Sequence, residues 1–447
     1  MNLTKPIYTN LIPVLLTMGL YGCGDDNLDP NAINAPNTYE FESHFSPGES
    51  SVDFTNSSTT LLLIQEVDHL LSSSYLQEYG ALHGKEETLS LINRVYELGN
   101  VEGNSGNLST TNIYDEESTS PTPISGIELD ESSDYSQLPH QISLKNALME
   151  VNETMDVADI QWMDDLVQSS FNRLSELASD SNEQTNYYYQ LVDHKTRVIS
   201  FLKAAIPYHQ VTNILLSDAA LTVDNDAPMA GKNYSQLEHN WDLAFGLSGS
   251  IVNLKLLEPS EIVSRYSQSW PTVNDALHNR TDSIMFEAAL RDSFSPLSST
   301  SLALDIQQQF LNGRTIIQAM QKTSIPEEEI ELTQQLTDVR NNLFYTWERG
   351  LVSALFSYLN ATANLSTTPD NTDYMIVWSQ LYAYARVLSI NPNKTLSSDL
   401  IADLRSAIGT RPHDNKGTSV DFRVELFKVR NQIASEFNIE EDVYLSW

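Results

Sequence analysis

The chain has one cysteine, Cys23, in 447 residues, so it can close no internal disulfide and build no cysteine metal site. Basic side chains are also scarce, 25 against 60 acidic ones, and the formal net charge is −35 at pH 7. That sign makes DNA, RNA and anionic lipid surfaces poor partners and leaves cations or cationic surfaces as the permitted ones. Acidity has a plainer source as well, the solubility bias of exported or salt-exposed proteins. Membrane-spanning runs are lacking: the apolar run at residues 11–20 is about half of the roughly 20 residues a span needs. Local catalytic patterns are missing too. There is no Gly-x-Ser-x-Gly elbow, no phosphate-cradling glycine loop, and no His-x-x-x-His at any of the nine histidines.

What is present at the start of the chain concerns its destination. Lys5 is the only charge before the apolar run, which reads as the core of a signal peptide over residues 1–22. Leu20, Tyr21, Gly22 and Cys23 resemble the lipobox of bacterial lipoproteins, whose signal peptidase cuts before a lipidated cysteine. The resemblance implies a lipid anchor on Cys23, attachment to a membrane through that lipid, and a place in the cell envelope. Gly24 stands where an inner-membrane retention signal puts aspartate, so in a host with two membranes the outer one is expected. Residues 23–37 are polar and acidic without apolar periodicity, the composition of a solvated tether. Roughly 425 residues remain after processing, enough for two cores of ordinary domain size.

Alternation at Tyr39 and Phe41, then at Val52 and Phe54, flanks Ser46, Pro47 and Gly48 and predicts a small β-hairpin. From Thr59 the period changes to that of a helix, with Leu62, Glu66, His69 and Leu70 in one stretch and residues 86–98 in the next. Residues 99–141 lose all periodicity and read as a long surface insertion without regular structure. Helical spacing then returns. Ile160 to Leu177 mark one helix, Tyr188 to Ile206 another that Pro207 ends or kinks, and the stretch from Ser235 to about Leu257 a third. Residues 258–274, with Pro259 and Pro271, read as a crossover between a first helical half (38–256) and a second (257–447). The clearest stripe, Leu332 to Tyr358, is followed by Met375 to Leu388 and by shorter helices at 396–408 and 421–437. Many helices and few strand signals predict an all-α fold of bundles.

The candidate site lies on the helix that opens at Ser235. Ser235 and Glu238 have capping-box spacing, and His239-x-x-Asp242 directs an imidazole and a carboxylate along one side of that helix. With Glu238 added, His239 and Asp242 are the candidate ligands for a divalent or iron cation; two alone are too few. A His–Asp pair hydrogen-bonded for packing is the plainer alternative. Trp241, Arg314 and Glu348 are the further candidates for ligand contact, Arg314 as a cation able to pair with Asp242. Gly246 and Gly249 each cost about 1 kcal/mol of helix stability relative to alanine, so the close approach they permit is expected to be used.

Trp241, Asp242, Ala244, Phe245 and Gly246 resemble the Trp-Asp-Glu-Ala-Phe-Gly signature of a bacterial lipoprotein family of unknown function related to imelysin-like proteins. Tyr39 to Phe41, Ser51 to Phe54, Gly313 with Arg314, Trp347 with Glu348, and Tyr358, Leu359 and Asn360 resemble further recurrent spots of that family, so the likeness spans about residues 38–440. It implies two related helical bundles. Imelysin-like proteins are exported, often linked to iron uptake, and carry a Gly-x-His-x-x-Glu motif that has given them a peptidase label. This chain departs from the patterns: Leu243 replaces a glutamate, Leu237 a glycine, and Ile376, Ser379 and Gln380 stand where His and Ser-Glu are expected. The departures remove candidate ligands and acid–base groups. The expectation is therefore a lipid-anchored envelope protein that binds, as an accessory to uptake of iron, haem or another cation. A metallopeptidase of the imelysin type and a structural or adhesion lipoprotein are the alternatives.

Overall fold

A computed structural model describes residues 34–72, 74–97, 143–180, 188–189, 191–250, 253–257, 261, 283–294, 301–368, 371–412 and 418–447. The expected signal peptide, Cys23, most of the expected tether, and nearly all of the residues read as an insertion (99–141) and a crossover (258–274) lie outside the described residues. The described chain is predominantly helical. The helices are α1 (Thr55–Ser72), α2 (Ser74–Tyr96), α3 (Leu144–Met149), α4 (Val157–Ser179), α5 (His194–His209), α6 (Gln236–Ser248), α7 (Ile284–Phe294), α8 (Leu302–Met320), α9 (Pro326–Leu365), α10 (Thr372–Val387), α11 (Ser398–Ile408), α12 (Ser419–Glu436) and α13 (Glu441–Ser446). None of them is long and apolar enough to cross a membrane.

Each helix buries one stripe. In α4, Ile160, Met163, Val167, Phe171 and Leu174 recur at steps of three and four and are shielded from water. Helix α9 is longer than its apolar stripe predicts, 40 residues, because Pro326 at its first position and Glu327, Glu328 and Glu329 in its first turn favour an early start. Gly84, at φ 81°, breaks α2, so the predicted helix from Glu86 is its second piece. The segment before α5 is not helical as expected. Tyr188–Tyr189 (β1) pairs antiparallel with Val192–Asp193 (β2) around Leu191 at φ 66°, and the Asp193 side chain caps α5 by accepting from Thr196 N at 2.8 Å.

Pro207 lies in the last turn of α5, and the chain passes directly into a π-helical stretch, Gln210–Leu215. Proline cannot donate its missing N–H, which favours such a local change of pitch. At the N-terminus the expected hairpin takes the form of a single antiparallel bridge, Glu42 with Ser50, extended by Ser43 N to Glu49 O at 2.8 Å and Ser51 N to Phe41 O at 2.9 Å.

Residues 35–447 form one compact unit. Helices α2 and α4 pack together, as do α8, α9 and α10 in sequence, while α5 packs on α10 and α6 on α8. Helices from both expected halves thus share a core, and α6 lies where they meet.

Candidate functional site

Helix α6 begins as its sequence dictates. Ser235 Oγ accepts from Glu238 N at 3.1 Å, and Glu238 Oε2 accepts from Ser235 N at 2.8 Å, a complete capping box. The helix ends at Ser248, earlier than expected, because Gly249 adopts φ 73° and its N–H bonds back to Gly246 O. Gly246 lets α1 approach: a Cβ there would stand 2.8 Å from the Cβ atoms of both Phe54 and Ser57.

The cap places two carboxylates, Glu238 and Asp242, one turn apart and wholly buried. Both face Arg314 of α8, which is equally buried. Arg314 Nε donates to Asp242 Oδ1 at 3.0 Å; Nη1 lies 2.8 Å from Glu238 Oε1, near enough for an ion pair though not aligned as a hydrogen bond. Arg314 Nη2 donates to Ser51 Oγ at 2.6 Å, and the guanidinium sits 5.0 Å from the Phe41 ring centre. Tyr39 Oη donates to Asp242 Oδ1 at 2.8 Å, and Asp53 N to Oδ2 at 3.3 Å. The N-terminal segment is therefore riveted to α6 and α8 through one buried arginine.

Burial pushes the Asp242 carboxyl up to about 6 against the pull of Arg314. With two carboxylates sharing one guanidinium, an upward shift is the expected sense. Burial alone would lower Arg314, but Asp242 and Glu238 outweigh it and hold the guanidinium above its ordinary value. Burial, then the Asp242 charge, raises the Tyr39 phenol far above its usual range.

The expected metal set is not assembled. Glu238 and Asp242 converge on Arg314, which stands where a cation would sit, while His239 turns away from them. Its ring stacks on Tyr234 at 4.8 Å and hydrogen-bonds the Asp53 backbone. Among the described residues, no group of three or more His, Cys, Asp or Glu is placed to hold a metal ion. Trp241 is not a ligand contact but core: it is fully buried, and Nε1 donates to Phe310 O at 2.9 Å. Its indole lies so close to Gly313 that a Cβ there would fall 1.9 Å from Cζ2. Glu348 does not join the cluster. It is buried on α9, where its carboxylate accepts from Thr395 N at 2.8 Å and Leu396 N at 3.4 Å and so ties down the chain ahead of α11.

His239 instead borders a cleft of about 430 Å³ between α1, α6 and the π-helical stretch. Carboxamides dominate its polar wall: Asn56, Gln210, Gln236 and Asn240, with Glu150 at one side. Leu243, Leu247, Ile214 and Met229 supply apolar surface. The Nδ1 atom of His239 is buried without a hydrogen-bond partner, and burial lowers the imidazole below its ordinary value, so the ring is neutral at pH 7. A neutral imidazole with one unengaged nitrogen can accept a hydrogen bond or ligate a metal that arrives with its own ligands. Composition hid this cleft. Its amides come from elements far apart in sequence, and only His239 carried a signal that pointed to it.

Comparison with protein-family models, with curated proteins and with solved structures gave no match to this chain.

Proposed function

We propose that the chain is a lipid-anchored binding protein of the cell envelope that takes a small ligand in the cleft beside His239. The observation that carries this reading is the unpartnered, buried Nδ1 of His239 at the edge of a cavity lined by carboxamides. Lipidation at Cys23 and an outer-membrane location rest on the lipobox likeness. A role in uptake of iron, haem or another cation rests on the imelysin-like residues and on the acidic charge. His239 and Glu150 are too few to hold a bare ion, so a cation would enter as a complex that leaves one position for the imidazole. Metal analysis of protein purified without chelator, followed by calorimetric titration with haem and with zinc, tests the proposal. Saturable binding that His239→Ala abolishes is the expected result; equal, negligible heats for wild type and variant would end it.

A structural or adhesion lipoprotein is the second reading. It is favoured by the way Arg314 engages both Glu238 and Asp242 internally, with no side chain of that cluster open to solvent. The peptidase reading lacks a comparable observation: the acidic pair it would use is held by Arg314.

A further inference from the structure

Several polar side chains of the His239 cleft have already committed their protons to the protein. Gln210 Nε2 donates to Ala147 O at 2.7 Å and to Glu150 Oε2 at 3.0 Å, which uses both amide hydrogens and leaves Gln210 only a carbonyl oxygen to offer. Ser57 Oγ donates to Leu243 O at 2.6 Å and Thr60 Oγ1 to Asn56 O at 3.1 Å, so these hydroxyls too can only accept. His239 follows the same rule. The Asp53 N–H donates to Asp242 Oδ2 at 3.3 Å, so the Asp53 backbone can take the single proton of the neutral imidazole only through its carbonyl, and the other ring nitrogen is an acceptor.

Charge points the same way. Glu150, directly after α3, is a carboxylate at the cleft wall, and no lysine or arginine stands among the described residues that line it. The partner of its Oε2 is the neutral amide of Gln210. Acceptors left empty in a half-buried place cost free energy, which a ligand bringing donors relieves. An ammonium group carries three N–H donors, no acceptor and one positive charge, and so matches these groups together. Leu243, Leu247, Ile214 and Met229 offer apolar surface to the carbon chain behind it. The amide N–H groups of Asn240, whose oxygen accepts from Gln236 Nε2 at 2.8 Å, suit a hydroxyl or carbonyl elsewhere on the same molecule.

We propose that the cleft takes a small organic ammonium ion, with Glu150 as its counter-charge and Gln210 and His239 as acceptors of its N–H groups. This identity rests on the cleft being a ligand site, and it narrows the cation admitted there to a protonated amine.

Any cation gathers around a chain with 60 acidic and 25 basic residues, so the test must separate N–H donation from charge. Calorimetric titration of the full chain at pH 7 with three probes of one carbon length does so. Hexamethylenediamine has both charge and N–H groups, hexamethonium has the charge without N–H, and hexanediol has donors without charge. Saturable binding of the diamine is expected, with the other two at least about tenfold weaker. Glu150→Gln, which keeps an oxygen for Gln210, and His239→Phe, which keeps a ring against Tyr234, should each weaken the diamine about tenfold or more. Glu153→Gln, which removes an exposed carboxylate outside the cleft, should leave it unchanged. Four results overturn the proposal: no saturable heat with the diamine, hexamethonium or hexanediol binding as tightly, unchanged affinity in Glu150→Gln, or equal losses in Glu150→Gln and Glu153→Gln. Haem or zinc binding that depends on His239, with no diamine heat, would overturn the amine alone and leave the cleft a ligand site; no heat with haem, zinc or diamine would end both.

Discussion

Arg314 and Asp242 form a hydrogen-bonded ion pair at 3.0 Å with neither side chain exposed to water. Glu238 completes a buried triad of two carboxylates and one guanidinium. Pairing of this kind contributes little net stability relative to apolar packing, but removal of one member leaves charge buried without compensation.

Arg314→Met should therefore destabilise the protein by about 3 to 5 kcal/mol, read from urea unfolding at pH 7. Adding Glu238→Gln and Asp242→Asn to Arg314→Met removes the stranded charges, and most of the loss should return. A loss in Arg314→Met below about 1 kcal/mol would show that the pair is not buried as described.

The same cluster sets a pH dependence. The Asp242 carboxyl titrates at about 6 when folded against an ordinary 3.8, so between those values the folded state keeps a proton that the unfolded chain has released. Stability from this group is complete below about pH 4 and is lost as pH rises through 6. The loss is at most about 3 kcal/mol. Unfolding of wild type and Asp242→Asn, compared at intervals from pH 4 to pH 7, should show the wild type losing ground to the variant across that window. Parallel curves would contradict the assignment.

Gly313 has no room for a side chain, because the Trp241 ring occupies it. Gly313→Ala should cost about 1 to 3 kcal/mol, the range for overpacking a core. Trp241→Phe removes the fused ring that clashes, so the alanine should cost less in that background. Additive losses in the double variant would place the clash elsewhere.

Lipidation has its own test. Labelled palmitate should enter the protein in a bacterial host and vanish in Cys23→Ala, with the variant moving from the membrane to the soluble fraction. Label that persists in Cys23→Ala would refute the lipobox reading.

Much of the scaffold was legible because helices write themselves locally. Ser235 and Glu238 announced the start of α6, and the stripe of α9 was visible from Leu332 onward. The end of α6 was not, since apolar residues beyond Gly249 continue its period while only the backbone angle of the glycine breaks it. Arg314 was a candidate partner for Asp242 on charge alone, yet nothing local to Glu238 revealed that it would share the same guanidinium. His239 and Asp242 share a side of the helix in sequence, but Asp53 and Tyr234 draw the imidazole one way and Arg314 the carboxylate the other.

The rivet between Ser51 and Arg314 spans 263 positions of chain. A polypeptide synthesised from its N-terminus can join residues 39–53 to α6 through Asp242, but must leave them without their arginine clamp until α8 emerges. Any product that stops short of α8 lacks the guanidinium that Glu238 and Asp242 bury against, so the carboxylates that lock the finished molecule oppose closure of the same segment in a fragment.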